Sequence, residues 1–255
     1  QIAQGMGGIM WVTGQPGGGP VRAGIAVADV GAGLHCAIGC LIALLEREVS
    51  GQGQWVSSSL LQAMISMCDF QAARWTLAKD VPGQAGNNHP TGIPTGVFKT
   101  SDGYINIAAS GDHIYKRFCE SIKAPELLTD ERFSTAKARV KHRDLLNAEI
   151  DNRMAGFTSA EAVEKLNKAG VPAGPIYKMD EMFADPQVKH LRMAREVNHP
   201  KLGLQEVIGQ AINMSRTTVE EWTATPEQGE HTASILSEFG YDAAAIDGFR
   251  KRGVV

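Results

Sequence analysis

The feature that most constrains this chain is the run over residues 30–48, which holds no proline and is built largely from small and aliphatic residues. Such a run is a helix, and its apolar side chains occupy most faces, which predicts a helix buried in the interior. The most apolar part, from Leu34 to Leu45, stops at Glu46, Arg47 and Glu48. It therefore falls short of the roughly 20 uninterrupted apolar residues that a bilayer span needs. Ser50-Gly51-Gln52-Gly53 ends the helix, with glycine where a left-handed cap is wanted. With 255 residues, 43% of them hydrophobic and 21% charged, the chain has material for one large domain or two modest ones around that helix.

Other elements follow from local pattern. The glycine-rich start closes on Gly24-Ile25-Ala26-Val27-Ala28, read as a short strand running into the helix. Residues 55–59 alternate like a second strand. Residues 60–78 form one long helix, apolar at Leu60, Leu61, Met64, Ile65, Cys68 and Ala72. Residues 79–94 carry Pro82, Pro90 and Pro94 among several glycines and make a linker or functional loop. Residues 95–100 and 104–109 are strands joined by Ser101-Asp102-Gly103, a hairpin signal. Helices are predicted over 113–122, 136–154 and 160–169, the last opened by a Thr158/Glu161 capping box. Residues 171–175 are a rigid connector, residues 179–193 a helix, and residues 196–215 short strands around Pro200 and Gly203. Residues 231–249 are helical.

Composition excludes several functions. A formal net charge of −3 with no cluster of Lys and Arg gives no nucleic-acid surface. The seven histidines are scattered, and Cys36, Cys40, Cys68 and Cys119 form neither a disulfide framework nor a four-ligand zinc site. They read as small core residues of a protein kept in a reducing, cytoplasmic compartment, or in a mitochondrial or peroxisomal matrix if the source is eukaryotic. Gly17-Gly18-Gly19 lacks the Lys-Ser/Thr ending of a phosphate loop and reads as a surface turn. The opening at Gln1, with no initiator Met and no basic leader, is the opening expected of a piece of a longer protein.

Asp29 is the candidate for chemistry. It stands at the start of the long helix, where unpaired N–H groups and the helix dipole favour an ionised carboxylate. Gly31, Ala32 and Gly33 follow it, small enough to let a substrate approach. The same position also suits a plain helix N-cap, a common use of Asp, and local pattern does not separate the two.

The string from Gly24 through Asp29 to His35, with Ala43-Leu44-Leu45-Glu46-Arg47 and Gly51-Gln52-Gly53-Gln54, resembles the family III CoA-transferases. That family includes formyl-CoA transferase, crotonobetainyl-CoA transferase and the α-methylacyl-CoA racemases. Gln4-Gly5-Met6-Gly7-Gly8, Gly86-Asn87-Asn88-His89-Pro90, Asp102-Gly103-Tyr104-Ile105, residues 170–175 and Gly229-Glu230-His231-Thr232 resemble it too, in order along nearly the whole chain.

The resemblance implies an α/β fold: part of a Rossmann-like, parallel-sheet large domain plus a smaller α+β domain, in an interlocked homodimer. Residues 1–78 would then belong to the CoA-binding domain, 79–94 to a linker and glycine-type loop, 95–180 to the small domain, and 181–255 to a return to the large one. It implies transfer of coenzyme A from an acyl-CoA to a small carboxylic acid, with no permanently bound cofactor, no metal, and neither nucleic acid nor membrane as partner. Asp29 would be the acyl-carrying carboxylate, with oxyanion donors among the helix-start N–H groups after it. Gly86, Asn87, Asn88 and His89 would cover the site or touch substrate, and Gln4 and Leu60 would lie along the coenzyme, Leu60 against the pantetheine arm.

Two alternatives follow. A 2-methylacyl-CoA racemase needs an acid/base pair, and the segment after the second hairpin strand offers Gly111 where that enzyme has Glu, with Asp112 next to it. A non-catalytic fragment of a CoA-transferase would leave apolar surface after Val30 and Leu60 without a packing partner.

Overall fold

A computed structural model describes residues 1–218 and 221–255, and the chain falls into two compact units, Gln1–Ile176 and Tyr177–Val255. The first unit opens on two short helices, α1 (Ile2–Met6) and α2 (Ile9–Val12), inside the glycine-rich stretch. The long helix follows as α3 (Val27–Ser50), with Ala26 at its N-cap. The strand expected at residues 24–28 does not form, because the helix already begins at Val27 and among the described residues no strand pairs with this stretch. At the far end Gly51 takes φ 73° and donates its N–H to the Arg47 carbonyl, the left-handed cap that the sequence predicts.

The expected burial of α3 is corrected. Ala28 and Gly31 are its buried residues, whereas Leu34, Ile38, Leu41, Ile42 and Leu45 are exposed. Periodicity reports that a helix is apolar all round; burial also needs elements to cover it, and beyond its first turns little of this unit lies against α3. The length expectation is corrected as well. By length and composition α3 would suffice to cross a membrane, with a mean hydropathy of 1.8 over its most apolar window.

The helix expected over 60–78 is two: α4 (Leu60–Met67) and α5 (Asp69–Ala78). Asp69 has φ 48°, and the Cys68 thiol donates to the Gly7 carbonyl at 3.1 Å, so the chain leaves the helical path there. Residues 55–59 are not a strand. Their extended end is the N-cap of α4, where Ser59 and Gln62 form a capping box. Gly7 lets α1 lie on α4, since a Cβ there would stand 2.4 Å from the Met64 Cβ and 2.9 Å from the Ala3 carbonyl oxygen. Met64 is fully buried. Gly7→Ala is therefore expected to cost about 1–3 kcal/mol in chemical denaturation, as overpacking does.

The rest of the first unit is a three-stranded antiparallel sheet backed by helices. Strands β1 (Thr95–Lys99) and β2 (Tyr104–Ala108) form the expected hairpin, with Val97 opposite Asn106. Helices α6 (Asp112–Ser121), α7 (Ala136–Lys141), α8 (Arg143–Met154) and α9 (Ser159–Lys168) follow. The helix expected over 136–154 breaks at His142, whose ψ of 30° departs from helical geometry. Within the expected connector 171–175, β3 (Ala173–Pro175) pairs with β2 and completes the order β1-β2-β3. Alternation along β2 sends Ile105 and Ile107 into a core with Phe98, Phe118, Leu146, Ile150 and Leu166, and leaves Asn106 and Ala108 on the open face.

The Thr158/Glu161 capping box starts α9 as expected. Beside it, Asp102 in the hairpin turn accepts from the Ser159 N–H (2.7 Å) and hydroxyl (2.9 Å), tying hairpin to helix. Those donors hold the Asp102 carboxyl below the usual carboxylate range, and Arg132 holds Asp130 down to about 2. A carboxylate whose folded pKa is depressed stabilises the fold above its unfolded value and stops doing so as pH falls through the folded one. Melting temperature is thus expected to drop as pH falls from about 4 towards about 2, and less steeply in Asp102→Asn. An equally steep profile in that variant would refute the assignment.

The second unit holds α10 (Met179–Ala184) and α11 (Pro186–His190), then β4 (Ala194–His199) paired antiparallel with β5 (Gly203–Ile208). Asp185, not a continuing helix turn, precedes Pro186 and caps α11 by accepting from the Gln187 and Val188 N–H groups. That splits the helix expected over 179–193. In the turn between the strands the His199 Nδ1 accepts from the Lys201 and Leu202 N–H groups. The tail expected as one helix is two, α12 (Thr232–Glu238) and α13 (Ala243–Lys251), separated where Gly240 takes φ 86°. Every strand pairing among the described residues is antiparallel.

Candidate active site

Asp29 is the third residue of α3, two places beyond its first, and its side chain is exposed. The N-cap position belongs to Ala26, and no side chain caps this end. Among the described residues the Asp29 carboxylate has no hydrogen-bond or ion-pair partner. The simple capping use of this Asp is therefore excluded, and the group stands open at the positive end of a long helix.

The N–H groups after Asp29 are not free, contrary to the expectation. Val30 already donates to the Ala26 carbonyl at 3.0 Å, and the turns beyond continue the helix ladder. The donors left over at this end are those up to and including Asp29 itself. The small residues after Asp29 divide their roles. Gly31 is buried against α4, where a Cβ would come within 2.7 Å of the Met67 Sδ, whereas a Cβ at Gly33 would meet open space.

Gln4 is buried and works on the segment that leads to Asp29. Its Nε2 donates to the Ile25 carbonyl (3.3 Å) and its Oε1 accepts from the Ala23 N–H (3.0 Å). Leu60, the first residue of α4, is 43% exposed and so is not a core leucine. Cys119 is buried, and burial pushes its thiol up to about 11. Cys40 is exposed on α3, which corrects its reading as a core residue and follows from the uncovered flank of that helix. Gly17 and Gly19, both with positive φ and open space around them, form the expected surface turn.

Residues 86–89 form a distinct site. Gly86 takes φ 60° and donates its N–H to the Gly14 carbonyl at 2.9 Å, while a Cβ there would collide with the Gln15 side chain. Asn88 bridges to Gly96 on β1. The His89 Nδ1 accepts from the Gly92 (2.8 Å) and Thr91 (3.2 Å) N–H groups, and its ring stacks on Phe70 at 5.7 Å. His89 is thus held as a turn-forming residue. Gly86, Asn87, Asn88 and His89 line a cavity of about 760 Å³ over the open face of the sheet, with Asn106 on β2 and Asn167 on α9 among its other polar walls. Its lining is neutral amide, imidazole and small apolar surface; Asp29 is not part of it. The structure therefore brings the four loop residues together, and separately joins Gln4 to the chain leading into α3.

Sequence reasoning overlooked Arg139 and Asn147. Arg139, fully buried, donates to the Ile93 (3.0 Å), Phe133 (3.2 Å) and Ser110 (3.2 Å) carbonyls and to the Asp112 carboxylate (2.7 Å). Asn147 donates to the Asn88 side chain at 2.9 Å. Neither had a local signal, since an Arg among Ala, Lys and Val in a short helix looks like a solvated residue.

A family model described as CoA-transferase family III matches residues 1–232. The chain belongs to that family. Among similar family III members, the succinyl-CoA:glutarate CoA-transferase of Mus musculus is 32% identical over 255 residues, covering 100% of this chain and 58% of that protein. The succinyl-CoA:mesaconate CoA-transferase of Haloarcula marismortui is 33% identical over 242 residues, covering 94% of this chain and 60% of the relative. The crystal structure of a CAIB/BAIF family protein from Brucella suis superposes with a TM-score of 0.78 at 33% identity, over 92% of this chain and 61% of that one. The chain thus spans about 60% of the length of these family III relatives, and its mixed α/β architecture with small antiparallel sheets matches the Brucella suis structure over the superposed span.

Proposed function

We propose that this family III chain takes part in the transfer of coenzyme A from an acyl-CoA to a carboxylic acid, with Asp29 as the carrier. The observation that supports this most is the state of Asp29: an exposed carboxylate at a helix N-terminus, without a partner among the described residues. The Asp29 carboxylate attacks the thioester carbonyl and expels CoA thiolate, leaving a mixed anhydride. The thiolate then attacks the aspartyl carbonyl, releasing the donor acid as carboxylate and leaving an aspartyl-CoA thioester. The acceptor carboxylate attacks that thioester, again expelling thiolate, and the thiolate takes the acceptor's acyl group from the second anhydride. Asp29 returns unchanged.

Residues 86–89 would cover the intermediates and keep water from the anhydrides, Leu60 would meet the pantetheine arm, and Gln4 would fix the backbone before Asp29. Relatives named for succinyl-CoA with glutarate, mesaconate or D-citramalate support succinyl-CoA as the first donor to test. We extend the proposal to a Rossmann-like large domain spanning residues 1–78 and 181–255, a linker at 79–94, a small domain at 95–180, and an interlocked homodimer. Its support is the apolar, exposed side of α3, the kind of helix face that covers a parallel sheet or a second chain. Four free thiols support a reducing, cytoplasmic-type setting.

The racemase alternative gains nothing from the geometry. Gly111 has no side chain to act as base, and the neighbouring Asp112 is paired with Arg139. Intact-mass spectrometry after incubation with succinyl-CoA and a panel of other acyl-CoAs tests the proposal. An acyl or CoA adduct on the protein is expected; absence of any adduct, together with absence of CoA exchange into glutarate or mesaconate, would overturn it.

A further inference from the structure

The segment over the cavity is held by a side chain that the chemistry above leaves unused. Asn147, on α8, donates its Nδ2–H to the Asn88 Oδ1 at 2.9 Å. Its own Oδ1 is buried and has no hydrogen-bond partner among the described residues. An unpaired buried acceptor opposes folding, so an apolar residue of similar size would cost the fold little at this half-buried position. What the amide achieves is contact with Asn88.

That contact fixes a tight arrangement. Asn88 lies so close over β1 that a Cβ at Gly96 would stand 2.7 Å from its Oδ1 and 2.8 Å from the Asn87 carbonyl oxygen. The backbone on either side is bonded to the same strand, Val97 N–H to the Asn87 carbonyl at 3.2 Å and His89 N–H to the Thr95 carbonyl at 2.8 Å. Asn147 adds the lateral hold that strand pairing cannot supply.

We propose that Asn147 is a positioning residue: its amide sets where Asn88 stands over the cavity and keeps residues 86–89 in the covering position. The inference rests on reading those residues as the cover of the substrate. Hydrogen exchange on the full chain separates this role from a structural one. In Asn147→Leu the amides of residues 86–92 are expected to exchange about tenfold faster or more, while those of residues 104–108 keep their protection and the melting temperature does not fall. In an Asn88→Ala background, Asn147→Leu is expected to add nothing further. Unchanged exchange over 86–92, additive effects in the double variant, or equal loss of protection in β2 would each overturn the proposal. Where turnover is followed, acyl-CoA hydrolysis relative to transfer is expected to rise roughly tenfold in Asn147→Leu as water reaches the anhydride. Faster exchange without that rise would uphold the positioning role and remove the reading of residues 86–89 as a water-excluding cover.

Discussion

Asp29→Ala is expected to abolish the covalent adduct with acyl-CoA and to lower transferase turnover by at least about 10³-fold, as removal of a nucleophile does. It is also expected to leave the fold intact. Among the described residues the carboxylate caps nothing and pairs with nothing, so its stabilising interaction is with the helix dipole, about 0.3–1 kcal/mol at an exposed position. Large loss of function with small loss of stability is the signature of a group kept for chemistry. Asp29→Asn keeps size and polarity but cannot form an anhydride, and should be as inactive as alanine. Asp29→Glu moves the carboxylate by a methylene against a fixed helix start, which should leave slow adduct formation. Full turnover in the alanine variant, measured beside its melting temperature, would end the assignment.

Arg139→Met is expected to do the reverse, costing about 3–5 kcal/mol of stability, since each buried carbonyl left without its donor costs about 1–3 kcal/mol. The loss arises from what is left behind. The Ile93, Phe133 and Ser110 carbonyls would be buried without a donor, and the stack over the Tyr115 ring, 4.3 Å from guanidinium to centroid, would disappear. Asp112 matters far less. Its side chain is 78% exposed against 1% for Arg139, so water replaces the arginine readily, and Asp112→Asn should cost less than about 1 kcal/mol. Chemical denaturation of the two variants side by side checks this asymmetry; equal losses would mean that the ion pair, not the backbone contacts, holds the site. With a total stability of roughly 5–15 kcal/mol for a domain, the methionine variant stands near the folding threshold.

These two residues also mark how much of the protein could be read before its structure. The helix start that bears Asp29 was legible because its setting is local: a run of small and aliphatic residues with no proline. The hairpin over Asp102-Gly103 and the Thr158/Glu161 cap were legible for the same reason, since turn and cap chemistry act within a few residues. Ser59-Leu60-Leu61-Gln62 held an equally local signal, a capping box, that outweighs the strand-like alternation before it. Arg139 and Asn147 were not legible. Their partners, Ile93, Ser110 and Asn88, lie far away in sequence, and nothing in the residues around α7 and α8 announces them.

The sequence by itself determined the family, the helix that bears Asp29, the hairpin and the caps, because each depends on backbone preferences and spacing over a few turns. Tertiary structure alone decided that α3 keeps most of its apolar surface exposed, that residues 171–175 supply a third strand, and that residues 86–89 rest on β1 above a cavity. Those outcomes depend on which surfaces meet across the fold. Burial and long-range hydrogen bonding are properties of a pair of segments, so neither segment's residues can state them alone.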